Sequence, residues 1–427
     1  MRYALKNMFI LSGHEDMAPE TGKAILVEDG RIRAIVPEGE IPADFPATDL
    51  GGQYLLPGLI NLHVHIPSSG KPTKKKTNYN ALAALLCLAP VRAVIRAMCR
   101  DLAKQELLSG TTTIRAVGGV RDFDTALRDQ INAGKVIGPR ILAANYAVSV
   151  PGGHMTGSVA LPANSPEEAA QMVRDLAKTR PDLIKLMITG GVLDAEVVGE
   201  PGILKMPPEY VKAAADEAHR LGYKVAAHVE STQGMLVALE NGVDTVEHGG
   251  APTDEVMALF HKTGSVLVAT LSPAVPFTKL TTFGNMSGTD IINGKALFDH
   301  MVACIKACLA EKIPVGLGTD TGCPFITHYD MWRELMYFVQ YIGVTPAFAL
   351  YSATELNAKI AGLEQETGTV DAGKSADFMV VKRNPLEDLT ALREPSAVVF
   401  RGDIIRDPKP KKMPLVEELL DGVMGLK

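Results

Sequence analysis

Four histidines, one lysine and one aspartate in this chain have the types and spacing of metal ligands. His63 and His65 stand two apart in "GLINLHVHI". On a strand that spacing puts both imidazoles on one face, where they can chelate a single cation. His228 closes "KVAAHVE", His248 closes "DTVEHGG" and Asp320 closes "PVGLGTD". Lys185 lies inside "DLIKLMITGG", an apolar run in which a lone ammonium is expensive to desolvate. Each residue has a plainer use when taken alone: a strand histidine satisfied in a core, an aspartate capping a helix. Yet His14, His219, His261, His300 and His328 fall in helical or loop patterns, whereas His63, His65, His228 and His248 all end strands. That division points to a metal site. Imidazole with carboxylate suits zinc, and also manganese, cobalt, nickel or iron.

The elements that must position these residues are legible as alternation. From Gly58 to about Gly343, eight apolar β-rich runs alternate with helical patterns: "GLINLHVHI", "TTTIRAVGG", "RILAANYAV", "LIKLMIT", "KVAAHVE", "DTVEHGG", "SVLVATLS" and "PVGLGTD". The segments between them carry N-cap and first-turn proline signals, as in "SPEE" and "TPAFA". Strands apolar on both faces and joined by helices predict an α/β fold, a (β/α)8 TIM barrel over residues 58–361. Such barrels carry their sites at the C-terminal ends of the strands, where the six residues fall. The flanks have a different texture. "KAILVEDGRIRAIVPEG" reads as a hairpin around Asp-Gly, and strand-and-turn texture returns in "TGTVDAGKSADFMVVKRNP" and "PSAVVFRGDIIRD". Residues 1–57 and 362–427 therefore predict one small discontinuous β-sandwich domain with the barrel inserted in it.

Composition narrows the partners. The 427 residues are 46% hydrophobic with a net charge of -6, so no basic field favours nucleic acid. The one basic run, "KPTKKK" at Lys71–Lys76, reads as a solvated loop. Five cysteines, an odd number without framework spacing, fit reduced thiols and a cytoplasmic location. Cys304 and Cys308, four apart in a helical pattern, read as packing residues. The start "MRYALKNMFILSG" lacks the pattern of a secretory leader, and no run of 18 apolar residues predicts a membrane span.

"PGLINLHVHI", the lysine of the fourth strand, "AAHVE", "VEHGG", "GLGTDTG" and the closing "GTVDAGKSADFMVV" together resemble the amidohydrolase superfamily over nearly the whole chain. Within it the sequence is most similar to the imidazolonepropionase-like and prolidase-like branch. The resemblance implies two divalent metal ions, zinc before others. His63 and His65 would hold the more buried ion with Asp320, and His228 and His248 the second. Lys185 would carry CO2 as a carbamate and bridge the two, since a neutral buried amine can become an anion that two cations stabilise. Two metals about 3.5–4 Å apart can share a hydroxide and polarise a carbonyl. Asp320 would be the general base that becomes the general acid.

His154 in "PGGHMTG" resembles a substrate-loop residue of that branch and is expected to hydrogen-bond the substrate carbonyl or its oxyanion. Mononuclear deaminases of the superfamily carry a glutamate three residues after the third metal histidine. Here Glu230 is two after His228, so deamination is disfavoured and Glu230 is expected to face substrate or support a ligand. Ser272 stands where some dipeptidase relatives carry a carboxylate-binding tyrosine, which makes it a substrate-side candidate. Cys323 reads as a lining residue. The expected activity is hydrolysis of an amide bond in a dipeptide or N-acyl amino acid, a small-molecule substrate, by a homo-oligomer. The alternatives are a cyclic-amide hydrolase of imidazolonepropionase type and, more remotely, a non-catalytic interaction protein.

Overall fold

The computed structural model describes residues 1–72, 85–195, 197–280 and 287–426. Most of the basic run, from residue 73 onward, lies outside the described residues. Four strands open the chain: β1 Arg2–Ile10, β2 Lys23–Glu28, β3 Arg31–Pro37 and β4 Ala47–Pro57. The expected hairpin is β2–β3. Its two turn residues, Asp29 and Gly30, sit at φ 49° and 80°, the left-handed pair that matches strand twist.

Ten parallel strands follow. They are β5 Leu59–Val64, β6 Thr111–Ala116, β7 Arg140–Ala143, β8 Ala147–Ser149, β9 Ala160–Pro162, β10 Leu183–Met187, β11 Lys224–Val229, β12 Thr245–His248, β13 Val266–Ala269 and β14 Val315–Leu317. Three short strands, β15 Phe378–Val381, β16 Ala397–Phe400 and β17 Asp403–Arg406, precede a helix over Pro414–Met424.

Both flanks of the chain share one seven-stranded sheet, in the order β17-β16-β15-β4-β1-β2-β3. The join is β4 against β15, antiparallel, with Tyr54 opposite Val381. The expected sandwich is thus drawn by its hydrogen bonds as one mixed sheet, whose apolar side packs Leu5, Ile25, Leu55, Phe378 and Val399 together.

The parallel strands form two sheets, β14-β13-β12-β11-β10-β8-β9 and β5-β6-β7. The sheets meet at both ends. The Asp182 N–H donates to the Ala143 carbonyl (2.8 Å), Asp320 N–H to the His63 carbonyl (2.9 Å) and His65 N–H to the Thr321 carbonyl (2.7 Å). All eight apolar runs contain a strand. The third run differs from the expectation in splitting into β7 and β8. Asn145 turns the chain there with φ 61°, and its side chain bonds the Thr125 N–H and hydroxyl and the Thr179 hydroxyl.

Helices cover one face of these sheets. Pro166–Ala177 is capped as its "SPEE" signal predicts: the Ser165 hydroxyl accepts from Glu168 N–H at 3.1 Å, and Ala169, Val173 and Leu176 are buried. Thr345 caps Pro346–Tyr351 in the same way. On β10 the alternation is strict: Ile184, Leu186 and Ile188 pack among the helices. Leu183 packs on the opposite face with Val117, Ala144 and Ala226, so Lys185 shares that inner face. Cys304 and Cys308 are buried in helix packing, and with Cys99 and Cys323 they are free thiols. Among the described residues no helix is long and apolar enough to cross a membrane.

Candidate metal centre

The six predicted ligands converge where the parallel strands end. His63, His65 and Asp320 place one donor atom each within 4.8 Å of one another. Asp320 Oδ1 lies 3.2 Å from His65 Nε2 and 3.5 Å from His63 Nε2. A second such group joins His228 and His248, and with them Glu230. The rings of His63 and His248, and of His248 and His228, are each 4.7 Å apart. Lys185 lies beside them, fully buried, and its Nζ has no hydrogen-bond partner among the described residues. Burial pushes its ammonium down to about 8, and the Arg115 charge pushes the same way.

Local backbone geometry aims these side chains. His248 and Asp320 both adopt left-handed conformations, φ 71° and 56°, which are costly outside glycine and cluster at functional sites. For His248 this turn matters. Val246 packs among the helices and Glu247 faces inward, so regular alternation would send residue 248 outward. Gly318 lets strand ends crowd, since a Cβ there would lie 2.5 Å from the His63 Cβ.

Each histidine is also held from behind, as metal-binding imidazoles usually are. His63 Nδ1–H donates to Glu247 Oε2 (2.8 Å) and His65 Nδ1–H to the Gly118 carbonyl (2.9 Å). His248 Nδ1 meets the Thr270 hydroxyl at 2.6 Å, and His228 Nε2–H donates to the Gly190 carbonyl at 3.2 Å. The other nitrogen of each ring is the candidate donor: Nε2 on His63 and His65, both turned to Asp320 Oδ1, Nε2 on His248, and Nδ1 on His228.

His154 lies against the predicted ligands. Its ring stacks on His228, 4.1 Å between centroids and 8° from parallel. Its Nδ1 bonds the Asp194 carboxylate at 3.0 Å, and Asp194 also accepts the Gly191 N–H. Gly191 makes room, because a Cβ there would sit 2.7 Å from His154 Cε1. Glu230 is buried on the inner face of β11's extension, accepting the Val192 N–H at 3.1 Å. Burial, then the charges of Asp194 and Asp320, raise its carboxyl well above the ordinary range. Ser272 is occupied: its hydroxyl (2.5 Å) and N–H (2.7 Å) both donate to Glu334, a buried carboxyl pushed up to about 7. Cys323 donates its thiol proton to Asp320 Oδ2 at 3.1 Å.

Sequence reasoning missed Arg115, Glu247, Asp194 and Glu334. The first two are charged residues inside "TTTIRAVGG" and "VEHGG", the same signal that singled out Lys185. Burial acts to raise the Glu247 carboxyl, but the Arg115 charge and the His63 bond outweigh it and hold it well below the carboxylate range.

The neutral histidines give the site a pH dependence. Burial, then the Lys185 charge, pushes His63 down to about 4, and His228 and His248 are also well below their ordinary value. Between about pH 6.5 and 4 the unfolded chain binds protons that folded His63 refuses, so stability falls as pH falls. His63 alone accounts for ~3 kcal/mol across that window. The raised carboxyls of Glu230 and Glu334 act the other way, so the His63 share is read as a difference: in melts of chelator-treated protein, Tm at pH 5 minus Tm at pH 7 is expected to be more negative for the wild type than for His63→Asn. Equal differences in the two proteins would contradict this.

The amidohydrolase family pattern matches residues 54–405, most of the chain. The chain belongs to the amidohydrolase family. This amidohydrolase is 26% identical over 426 residues to the ochratoxinase of Aspergillus niger, covering 91% of this chain and 83% of that one. It is 24% identical over 401 residues to the imidazolonepropionase of Symbiobacterium thermophilum, covering 86% and 85%. Among solved structures, a Bifidobacterium longum chain proposed to be a prolidase superposes with a TM-score of 0.87, at 35% identity and 99% coverage of both chains. A Xaa-Pro dipeptidase with bound methionine superposes at 0.83, with 27% identity over 95% of this chain and 100% of that one. The protein is a hydrolase acting on carbon–nitrogen bonds.

Proposed function

We propose that this chain is a binuclear metal-dependent hydrolase that cleaves an amide bond of a dipeptide or an N-acyl amino acid. The observation that carries this reading is Lys185: a fully buried amine with no hydrogen-bond partner among the described residues, near His63, His228, His248 and Asp320. A buried polar atom left unpaired is costly, and a ligand role gives this one a partner. The donor set fits two divalent ions, zinc first. His63, His65 and Asp320 would hold one, His228 and His248 the other, and a carbamate on Lys185 would bridge them. Bound there, the ions would supply an acidified water and electrophilic pull on the scissile carbonyl.

The chain's own residues would do the rest. Burial acts to raise the Asp320 carboxyl, but the close approach of His65, then of His63 and His248, holds it well below the ordinary range. It is therefore charged at neutral pH, ready to take the water's proton and pass it to the leaving nitrogen. Nδ1–H of His154 donates to Asp194, so to offer Nε2–H to the carbonyl oxygen as negative charge builds there the ring would have to carry both protons, a cation beside the Asp194 carboxylate. Glu230 would face the substrate, and Ser272, tied to Glu334, would shape the wall behind it.

The backbone bonds between the two parallel sheets support closure into a (β/α)8 barrel over residues 58–361, with 1–57 and 362–427 as the smaller β domain. A homo-oligomer in the reducing cytoplasm completes the reading. The relatives support amide hydrolysis but differ among themselves in the substrates their names give, so a panel is the test. Metal analysis should find two transition-metal equivalents, and prolyl dipeptides or N-acyl amino acids should be hydrolysed. Opening of an imidazolone ring with dipeptides inert would favour the cyclic-amide alternative. No bound metal, and no activity after reconstitution with zinc and bicarbonate, would overturn both.

A further inference from the structure

Behind His63 lies a charged assembly whose side-chain hydrogen bonds, among the described residues, reach no other predicted ligand. Arg115, on β6, donates from Nε to the Leu62 carbonyl (2.7 Å), from Nη1 to the Thr245 hydroxyl (3.1 Å) and from Nη2 to both oxygens of Glu247 (2.7 and 2.9 Å). The Thr245 hydroxyl donates to Glu247 Oε1 at 2.6 Å. Glu247 Oε2 accepts His63 Nδ1–H at 2.8 Å. All four side chains are buried. Burying an ion pair this completely gives little stability by itself, because desolvation offsets the Coulomb gain. Its directional use is plain: it spans from β5 and β6 to β12 and ends on one ring nitrogen.

We propose that Glu247, clamped by Arg115 and Thr245, is a positioning residue that fixes the His63 ring in its Nδ1–H tautomer, and that the affinity of the first metal position depends on it. This inference rests on the metal-centre reading above for its ligand and on hydrogen-bond geometry for its mechanism. With Nδ1 protonated, the Nε2 lone pair faces Asp320. Were the tautomer reversed, a proton would stand where a cation must bind.

Glu247→Gln makes the test sharp because it keeps size and shape. Arg115 Nη2 donates to both oxygens, slightly closer to Oε1, and the Thr245 hydroxyl donates to Oε1 alone, which favours the new amide oxygen there. The amide NH2 then faces His63 Nδ1 as a donor, and the imidazole must move its proton to Nε2. Two readouts follow. In the metal-free protein, imidazole 15N spectra should report the Nδ1–H tautomer for His63 in the wild type and Nε2–H in Glu247→Gln, with unchanged far-UV circular dichroism. In chelator competition with zinc, the wild type should hold two equivalents. The variant should keep one at wild-type affinity and bind the other 10–100-fold more weakly.

Unchanged His63 nitrogen shifts, or two equivalents at wild-type affinity in the variant, would overturn the inference. A wild type that holds a single equivalent would sink the binuclear reading instead. The inference would then stand or fall on whether that equivalent weakens. If Glu247→Gln misfolds, Glu247→Asp keeps the charge but shortens the reach to His63, and the same weakening is expected. Wild-type affinity in a folded Glu247→Asp protein would overturn it.

Discussion

Lys185→Ala is expected to remain folded, to lose one or both metal equivalents, and to lose catalysis by on the order of a thousandfold or more, ~4 kcal/mol of transition-state stabilisation. The two halves of this expectation have separate physical origins. Folding survives because the side chain makes no hydrogen bond that the fold needs: its Nζ is unpartnered among the described residues and 0% of the residue is exposed. Truncation removes a desolvated amine at the same time as it opens a cavity, and those changes oppose each other. Metal binding and turnover suffer because the anion expected between the two histidine groups is gone. A short carboxylic acid such as formate, acetate or propionate fits the vacated volume and brings two oxygens. It should restore part of the metal content and part of the rate, saturably. Metal analysis and kcat/KM across a series of acid concentrations measure both. Two metals and full turnover in the alanine variant would mean that Lys185 is a buried cation and nothing more.

Asp320→Asn is expected to lower kcat by roughly 10²–10⁴, the range for loss of a positioned acid–base group. Asparagine tolerates the left-handed φ of 56° as well as aspartate does, so the backbone has no reason to move. It can still bond the Cys323 thiol and offer one oxygen towards His63 and His65, which makes the proton-carrying role the main loss. The loss should depend on the leaving group. An anilide, whose nitrogen needs less help to depart, should be slowed less than an alkyl amide or a prolyl bond. Equal losses across leaving groups would assign Asp320 a ligand role alone.

Much of this arrangement was legible in the chain. His63, His65, His228, His248 and Asp320 announced themselves by type and by ending apolar runs, and Lys185 by contradicting its surroundings. The two flanks shared a texture before β4 and β15 were seen to pair. What escaped reading is non-local. Glu247 meets His63 across 184 residues, Arg115 meets Glu247 across 132, and Ser272 meets Glu334 across 62. No spacing rule reaches that far, and an arginine in a strand does not name its carboxylate. Asp194 was hidden differently: it closes a 3-10 helix of three residues, Val192–Asp194, too short to show a period, and its role is visible only once Gly191 and His154 are brought together. The split of the third run at Asn145 follows from side-chain bonds to the helix starting at Phe123, again a contact between elements.

The pairing of β4 with β15 also sets a timetable. Tyr54 leaves the ribosome 327 residues before its partner Val381. At ~5–20 residues per second, synthesis holds that strand edge open for roughly 15–65 s. Throughout that interval the exposed N–H and C=O groups of β4 can pair with any neighbouring chain. The nascent protein therefore passes through a period of vulnerability that its finished form, with the edge covered, no longer records.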